Sequence, residues 1–512
     1  MQTLQSYVAG AWTAGSGPAQ SLVNPATEEV VAETSATGLN LATALDHARG
    51  EGGRALRSLA LGERAAILAE MAKRIHDHRD ELLEVAMKNG GNTRSDAKFD
   101  VDGASGTLAH YAALGKELGD ARFVIDGETE QLGISPRLAG RHAWLPRHGV
   151  ALLINAFNFP AWGFGEKAAC ALLAGMPVML KPATSTAHVA HRIMELCADA
   201  APSGVLSMVC GSAHELPRML DYGDVIAFTG SSATAGRLAS ADKVLSREVR
   251  LNVEADSLNA GVLGEDVDDD TYQLFLKDMV KEITQKTGQK CTAVRRIFVP
   301  AGMLERVRDD LAERLSEVVL GDPFVEGVRM GPVATAQQHR DVLAGIGTLA
   351  EGAEVVLDGR QPSPKGAPEG KGFFVGPTLL ASEDAALDAV HELEVFGPVA
   401  TLLPSPSDTE SLCRLIARGR GGLVCSIYTD DRKWAAAMLA GAGPHHGRLV
   451  FGSKKIAGKA VPPGTVLPHL LHGGPGRAGG GEELGGLRGL ALYAQRVAVQ
   501  GARPLLDAML GK

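Results

Sequence analysis

A chain of 512 residues is far too long for one hydrophobic core, so two or more domains sharing an interface are expected. Basic side chains number 51 against 60 acidic ones, a formal charge of −9 with no long basic run to offset it. That balance speaks against nucleic acid or an anionic membrane as partner and for a small molecule.

The six cysteines show no CxxC spacing and lie mostly in apolar runs, so neither a zinc site nor a disulfide framework is indicated. There is no basic-then-apolar leader and no apolar stretch of about 18 residues, so the chain reads as soluble, unprocessed and cytoplasmic. Residues 1–35 alternate glycine, aromatic and polar positions (Tyr7, Val8, Gly10, Trp12) ahead of Asn24-Pro25, a pattern of short strands and turns. From 41 to about 118 apolar residues recur every three or four positions, as in Arg64-Ala65-Ala66-Ile67-Leu68, which predicts an amphipathic helical layer. His76 and His78, two apart on such a helix, point in different directions and make no metal pair.

Between 122 and 148 the helical period disappears, and β-type runs such as Arg122-Phe123-Val124-Ile125 flank a turn-rich segment, an extended excursion from the main body. Strand and helix then alternate. Buried strands are expected over 149–154, 177–181, 206–210, 224–228 and 249–253, with a helix over 166–173 closed by Gly175, which together predict a parallel, doubly wound sheet. Ligands bind beyond the carboxyl ends of such strands, where Asn158, Lys181, Gly230 and Glu254 fall. After a break at 264–270, helices over 272–283 and 304–318 and strands over 296–299 and 422–428 imply a second α/β domain. A surface loop is expected at 361–372 and a final strand over 491–499.

Two glycine-rich stretches resemble phosphate-binding loops without their context. Gly163-Phe164-Gly165-Glu166-Lys167-Ala168 is separated from the preceding strand by 155–162, so the tight strand-to-helix turn is missing. The 473–486 run lacks the Gly-Lys-Ser/Thr ending of a Walker loop and reads as flexible or closely packed backbone. His445-His446 is expected in a loop. Chemistry points instead to Thr287-Gly288-Gln289-Lys290-Cys291-Thr292 and to Glu254 at a strand end: a thiolate is a strong nucleophile toward carbonyl carbon, and a carboxylate is a candidate base. The alternatives, an inert core cysteine and a solvated glutamate, stand beside these readings until the surrounding motifs are weighed.

Six such stretches occur in one order: Ile154-Asn155-Ala156-Phe157-Asn158-Phe159-Pro160, Leu180-Lys181-Pro182-Ala183, Phe228-Thr229-Gly230-Ser231, Glu254, Gly288-Gln289-Lys290-Cys291 and Glu394-Val395-Phe396-Gly397-Pro398-Val399. The set resembles the aldehyde dehydrogenase superfamily. The resemblance implies a doubly wound cofactor domain (1–121 and 146–254), a second α/β catalytic domain (255–486) and a small β oligomerisation element (122–145 and 487–512) serving a homodimer. It implies Cys291 as nucleophile, Asn158 and the Cys291 N–H as oxyanion donors, and Glu254 as the base that activates water. Lys181 would hold the adenosine ribose, Gly230 and Ser231 the pyrophosphate, and Glu394 the nicotinamide ribose, with Phe396 beside it.

Thr184 stands where NAD-preferring members often carry Glu, so NADP is expected, with NAD possible. Lys454, Lys455 and Lys459, in the stretch that lines the family's aldehyde entrance, suit the phosphates of a CoA-linked aldehyde. An acylating relative that passes its thioester to coenzyme A commonly lacks the base, and Glu254 argues against it; a non-enzymatic relative would not be expected to keep Cys291, Asn158, Glu254 and Glu394. Two departures bear on the backbone: Glu254-Ala255-Asp256-Ser257 lacks the glycines usual after the base, and the interval from Ser231 to Gly236 is longer than usual.

Overall fold

The computed structural model describes residues 2–510. One sheet of seven strands holds five parallel members in the spatial order Arg250–Glu254, Val225–Thr229, Ala151–Ile154, Val178–Lys181 and Leu206–Met208. The N-terminal hairpin Ser6–Val8 and Ala11–Thr13 extends it antiparallel. These parallel strands are continuous aliphatic runs because both faces are covered. Chain order reverses at Ala151–Ile154: later strands are added first on one side and then on the other. A crevice therefore opens beyond its carboxyl end, and 155–160 leave the sheet at that point.

The helix that follows, Trp162–Ala174, is buried along its whole length and starts earlier than the expected 166. Asp100 supplies the reason: its carboxylate accepts from the Trp162 N–H at 2.8 Å and satisfies the first turn. Gly165 lies against Ala104 of the helix Arg94–Leu118, where a Cβ would sit 2.9 Å from the Ala104 Cα. Gly165 thus serves helix packing. Gly175, at φ +93°, ends the helix in the left-handed region.

A second seven-stranded sheet runs Glu354–Leu357, Thr378–Ala381, Val399–Ser405, Val294–Pro300, Asn259–Leu263, Gly422–Tyr428 and His446–Gly452, parallel except for its first edge strand. His446 opens a strand instead of lying in a loop. It is buried with Nδ1 3.0 Å from the Ala442 carbonyl, and burial pushes its pKa down to about 4. A third sheet, Val124–Gln131, Leu138–Pro146 and Ala494–Ala502, is antiparallel, with Leu138–Pro146 in the middle. The last strand begins three residues later than the expected 491, because Tyr493 is buried in the core and only the following residues alternate between the faces.

Candidate active site

Cys291 follows the helix Asp269–Thr284 through a sharp turn in which Lys286 (φ +54°), Thr287 (φ +57°) and Gly288 (φ +66°) are all left-handed. For the two non-glycine residues this conformation costs about 1–3 kcal/mol each. Hydrogen bonds hold it: Thr287 Oγ1 donates to the Gly331 carbonyl at 2.8 Å, and buried Arg295 donates to the Gly288 and Gly397 carbonyls at 2.8 and 2.7 Å. Only glycine fits at 288, where a Cβ would lie 2.0 Å from the Gly397 oxygen. Asn259 Nδ2 fixes the far side of Cys291 by donating to the Cys291 and Ala293 carbonyls at 2.7 and 2.8 Å.

Asn158 reaches this turn from the crevice, its Nδ2 donating to the Gln289 carbonyl at 2.9 Å. One amide hydrogen is thereby used to dock the crevice loop on the nucleophile turn. Glu254 closes the strand Arg250–Glu254, only 3% exposed, and its Oε1 lies 3.1 Å from Nε2 of His472. The path after it does not need glycine: Ala255 N–H donates to the Ala478 carbonyl at 3.0 Å, and Asp256 turns to the helix Ser232–Ala239, accepting from the Ser232 N–H at 3.1 Å.

Beside Glu254 lies a buried charge cluster that sequence reasoning missed. Lys167 Nζ is 2.8 Å from Glu166 and 3.0 Å from Glu483, and Asn252 Nδ2 donates to Glu483 at 3.1 Å. Among the described residues, one oxygen or nitrogen of each of Glu254 and His472 and the sulfur of Cys291 lie within 4.8 Å of one another. Burial opposes ionisation of Glu254, but His472 and Lys167 overcome it and hold the carboxyl low, at about 2. Burial pushes Glu166 up to about 7, and burial together with the Glu254 carboxylate pushes the Cys291 thiol well above the usual thiol range. The signal available in the sequence was a Glu-Lys pair inside an otherwise apolar helix.

Two cavities meet at this cluster. One, of about 480 Å³ including its open side, is lined by Phe99, Phe159, Trp162, Val466, Glu166 and His472, an aromatic chamber with a charged floor. The other, a cleft of about 1490 Å³ including its open mouth, is lined by Gly230, Ser231, Phe396, Glu394 and Arg477. Asn155, Asn158, Thr229, Glu254 and Cys291 border both. The cleft suits a dinucleotide in that one Glu394 oxygen in its lining is buried without a partner, an acceptor ready for ribose hydroxyls; at the start of the helix Ser232–Ala239, the Ser232 and Thr234 N–H groups are already taken by Asp256 and Ser231. Phe396 sits edge-on to Phe157, ring centroids 5.8 Å apart. Lys181 and Thr184 are not in its lining, although Ala183 between them is; Lys181 Nζ donates to the Pro182 carbonyl at 2.7 Å, and burial pushes its pKa down to about 8.

This combination of fold, buried thiol beside a carboxylate, and cleft is that of an NAD(P)-linked aldehyde oxidoreductase. The profile of the aldehyde dehydrogenase family matches residues 12–462, and the chain belongs to that family. It is 41% identical over 478 residues, 92% of this chain and 93% of the relative, to 3,4-dehydroadipyl-CoA semialdehyde dehydrogenase of Aromatoleum evansii. Among solved structures, PnpE from Pseudomonas sp. WBC-3 superposes with a TM-score of 0.85 at 25% identity, covering 98% of both chains. The NAD+ complex of the Bacillus cereus aldehyde dehydrogenase gives 0.84 at 23% identity over 98% of this chain and 97% of that one, a likeness of fold alone. Among the described residues no helix is long and apolar enough to cross a membrane.

Proposed function

We propose that this aldehyde dehydrogenase oxidises a CoA-linked semialdehyde of the 3,4-dehydroadipyl type to its acid in the cytoplasm, preferring NADP, as a homodimer. The single observation that carries the chemistry is Cys291 at the junction of an aromatic chamber and a dinucleotide cleft, with Glu254 against it. The Cys291 thiolate adds to the aldehyde carbon, forming a C–S bond and an oxyanion that the remaining Asn158 N–H and the Cys291 N–H stabilise. Gly230, Ser231 and Glu394 would hold a nicotinamide dinucleotide in the cleft, and it would supply the two-electron hydride acceptor; loss of hydride from the adduct carbon leaves a thioester on Cys291. Glu254 then takes a proton from water, the hydroxide adds to the thioester, and the C–S bond breaks to release the carboxylic acid and regenerate the Cys291 thiolate.

The substrate class rests on the 41% identical relative and on the loop 453–459. Lys454 is already paired with Asp268 at 2.8 Å, so exposed Lys455 and Lys459 are the cations left for CoA phosphates. Retention of Glu254 favours a free-acid product over transfer to a second coenzyme A. The test is a panel of semialdehydes with and without the CoA moiety, each with NAD and NADP. Equal kcat/KM for a semialdehyde and its CoA thioester would remove the substrate assignment, and a preference for NAD would remove the cofactor assignment.

A further inference from the structure

The residue against Glu254 belongs to none of the six motifs. His472 is buried on the short strand Leu471–Gly473, which pairs antiparallel with Glu482–Leu484 so that His472 faces Glu483 in register. Glycine permits this hairpin: a Cβ at Gly473 would lie 2.0 Å from the Gly481 oxygen, and one at Gly474 2.3 Å from the Gly422 oxygen. The glycine-rich run therefore seats two ionisable side chains, His472 beside Glu254 and Glu483 beside Lys167, on one tightly packed ribbon. His472 also lines the aromatic chamber, so its ring joins the base to the space that holds the aldehyde.

A carboxylate held by cations is a weak base, and His472 and Lys167 both stabilise the charge of Glu254. Lys167 is locked by Glu166 and Glu483, each within 3.0 Å, and stays charged. The imidazole is the neighbour whose charge can change. We propose that His472 is a positioning residue for deacylation: when its ring is neutral, the water proton taken by Glu254 passes across the 3.1 Å contact to Nε2, and when it is an imidazolium the pair is full and Glu254 is silenced. The proton balance closes, since the imidazolium returns its proton to solvent through the chamber before the next turnover. Glu483 stands opposite in register and the Cys291 sulfur lies within 4.8 Å, and the groups that set the ring's charge are Glu254 from the strand Arg250–Glu254, Glu166 from the helix Trp162–Ala174 and Arg448 from the strand His446–Gly452. The two carboxylates outweigh burial and Arg448, so the ring keeps its proton to higher pH than a free imidazole.

This inference rests on the proposed thioester chemistry, and the experiment separates the two. The slow phase that follows a reduced-cofactor burst is measured from pH 6 to 9 for wild type, His472→Gln, His472→Phe and Glu166→Gln, with melting curves as a fold control. Wild type should slow about tenfold per pH unit below the ring's ionisation. His472→Gln, which keeps an amide against Glu254 but does not titrate, should lose that slope and keep the burst amplitude; His472→Phe, which fills the space, should lose it too. Superimposable wild-type and His472→Gln profiles overturn the inference, as does a slope that disappears only in Glu166→Gln. A Glu254→Gln enzyme that traps no acyl group on Cys291 during turnover, read by intact-protein mass spectrometry, overturns the thioester chemistry itself, and His472 with it.

Discussion

Residue by residue, Cys291 and Glu254, the proposed nucleophile and base, are under opposite electrostatic pressure. Burial and Glu254 leave little Cys291 thiolate at neutral pH, while Glu254 stays ionised well below it. The acylation step should therefore speed up with pH through and above the ordinary thiol range, and a flat kcat/KM profile between pH 7 and 9 would contradict this. Cys291→Ala should abolish oxidation with cofactor binding intact. Glu254→Gln should slow deacylation by about 10²–10⁴-fold and leave a burst in stopped-flow traces; normal steady-state turnover would take Glu254 out of the mechanism. Thr184→Glu would set a carboxylate toward a 2′-phosphate, and a roughly ten- to hundredfold loss of kcat/KM with NADP, but not NAD, is expected. Cys291, Glu254 and Asn158 were legible because each sits in a short local string with its own chemistry. His472 and Lys167 were not, since Lys167 meets Glu483 across 316 residues and a lone histidine after Leu471 carries no pattern.

At the scale of elements, the helix Trp162–Ala174 carries a buried ion cluster whose removal in part is worse than its absence. Lys167→Met would leave Glu166 and Glu483 facing each other without a cation, a loss of about 3–5 kcal/mol in denaturant unfolding. Glu166→Gln, which removes one of the two carboxylates and keeps the shape, should cost less; equal losses would show that packing alone is at stake. The helix and the strands around the crevice were readable from apolar period and a closing glycine. The hairpin of His472 and Glu483 was not, because glycine has low strand propensity and the 473–486 run looks like a loop whether it is mobile or packed. The strand Asn259–Leu263 escaped for a different reason: it follows Glu254 after four residues and so blends into the end of the first sheet's series.

Taken whole, the alternation of strand and helix disclosed two parallel sheets, but not which strand lies at which edge. The N-terminal hairpin joins the first seven-stranded sheet through Tyr7 against Met208, a pairing across the chain that no local pattern announces. The third sheet raises the question of assembly. Its outer strands, Val124–Gln131 and Ala494–Ala502, each pair on one side only, and beside them Leu132, Ile134, Leu138, Leu505 and Met509 are exposed. Apolar side chains next to open strand edges invite a partner, and a second copy of the chain related by a two-fold axis offers the same surface in return. Ile134→Lys combined with Leu505→Glu places charges in that contact without touching either large sheet. The double variant should sediment as a monomer at micromolar concentration while the wild type sediments as a dimer or larger even assembly, and a monomeric wild type under the same conditions would remove the third sheet from any role in assembly.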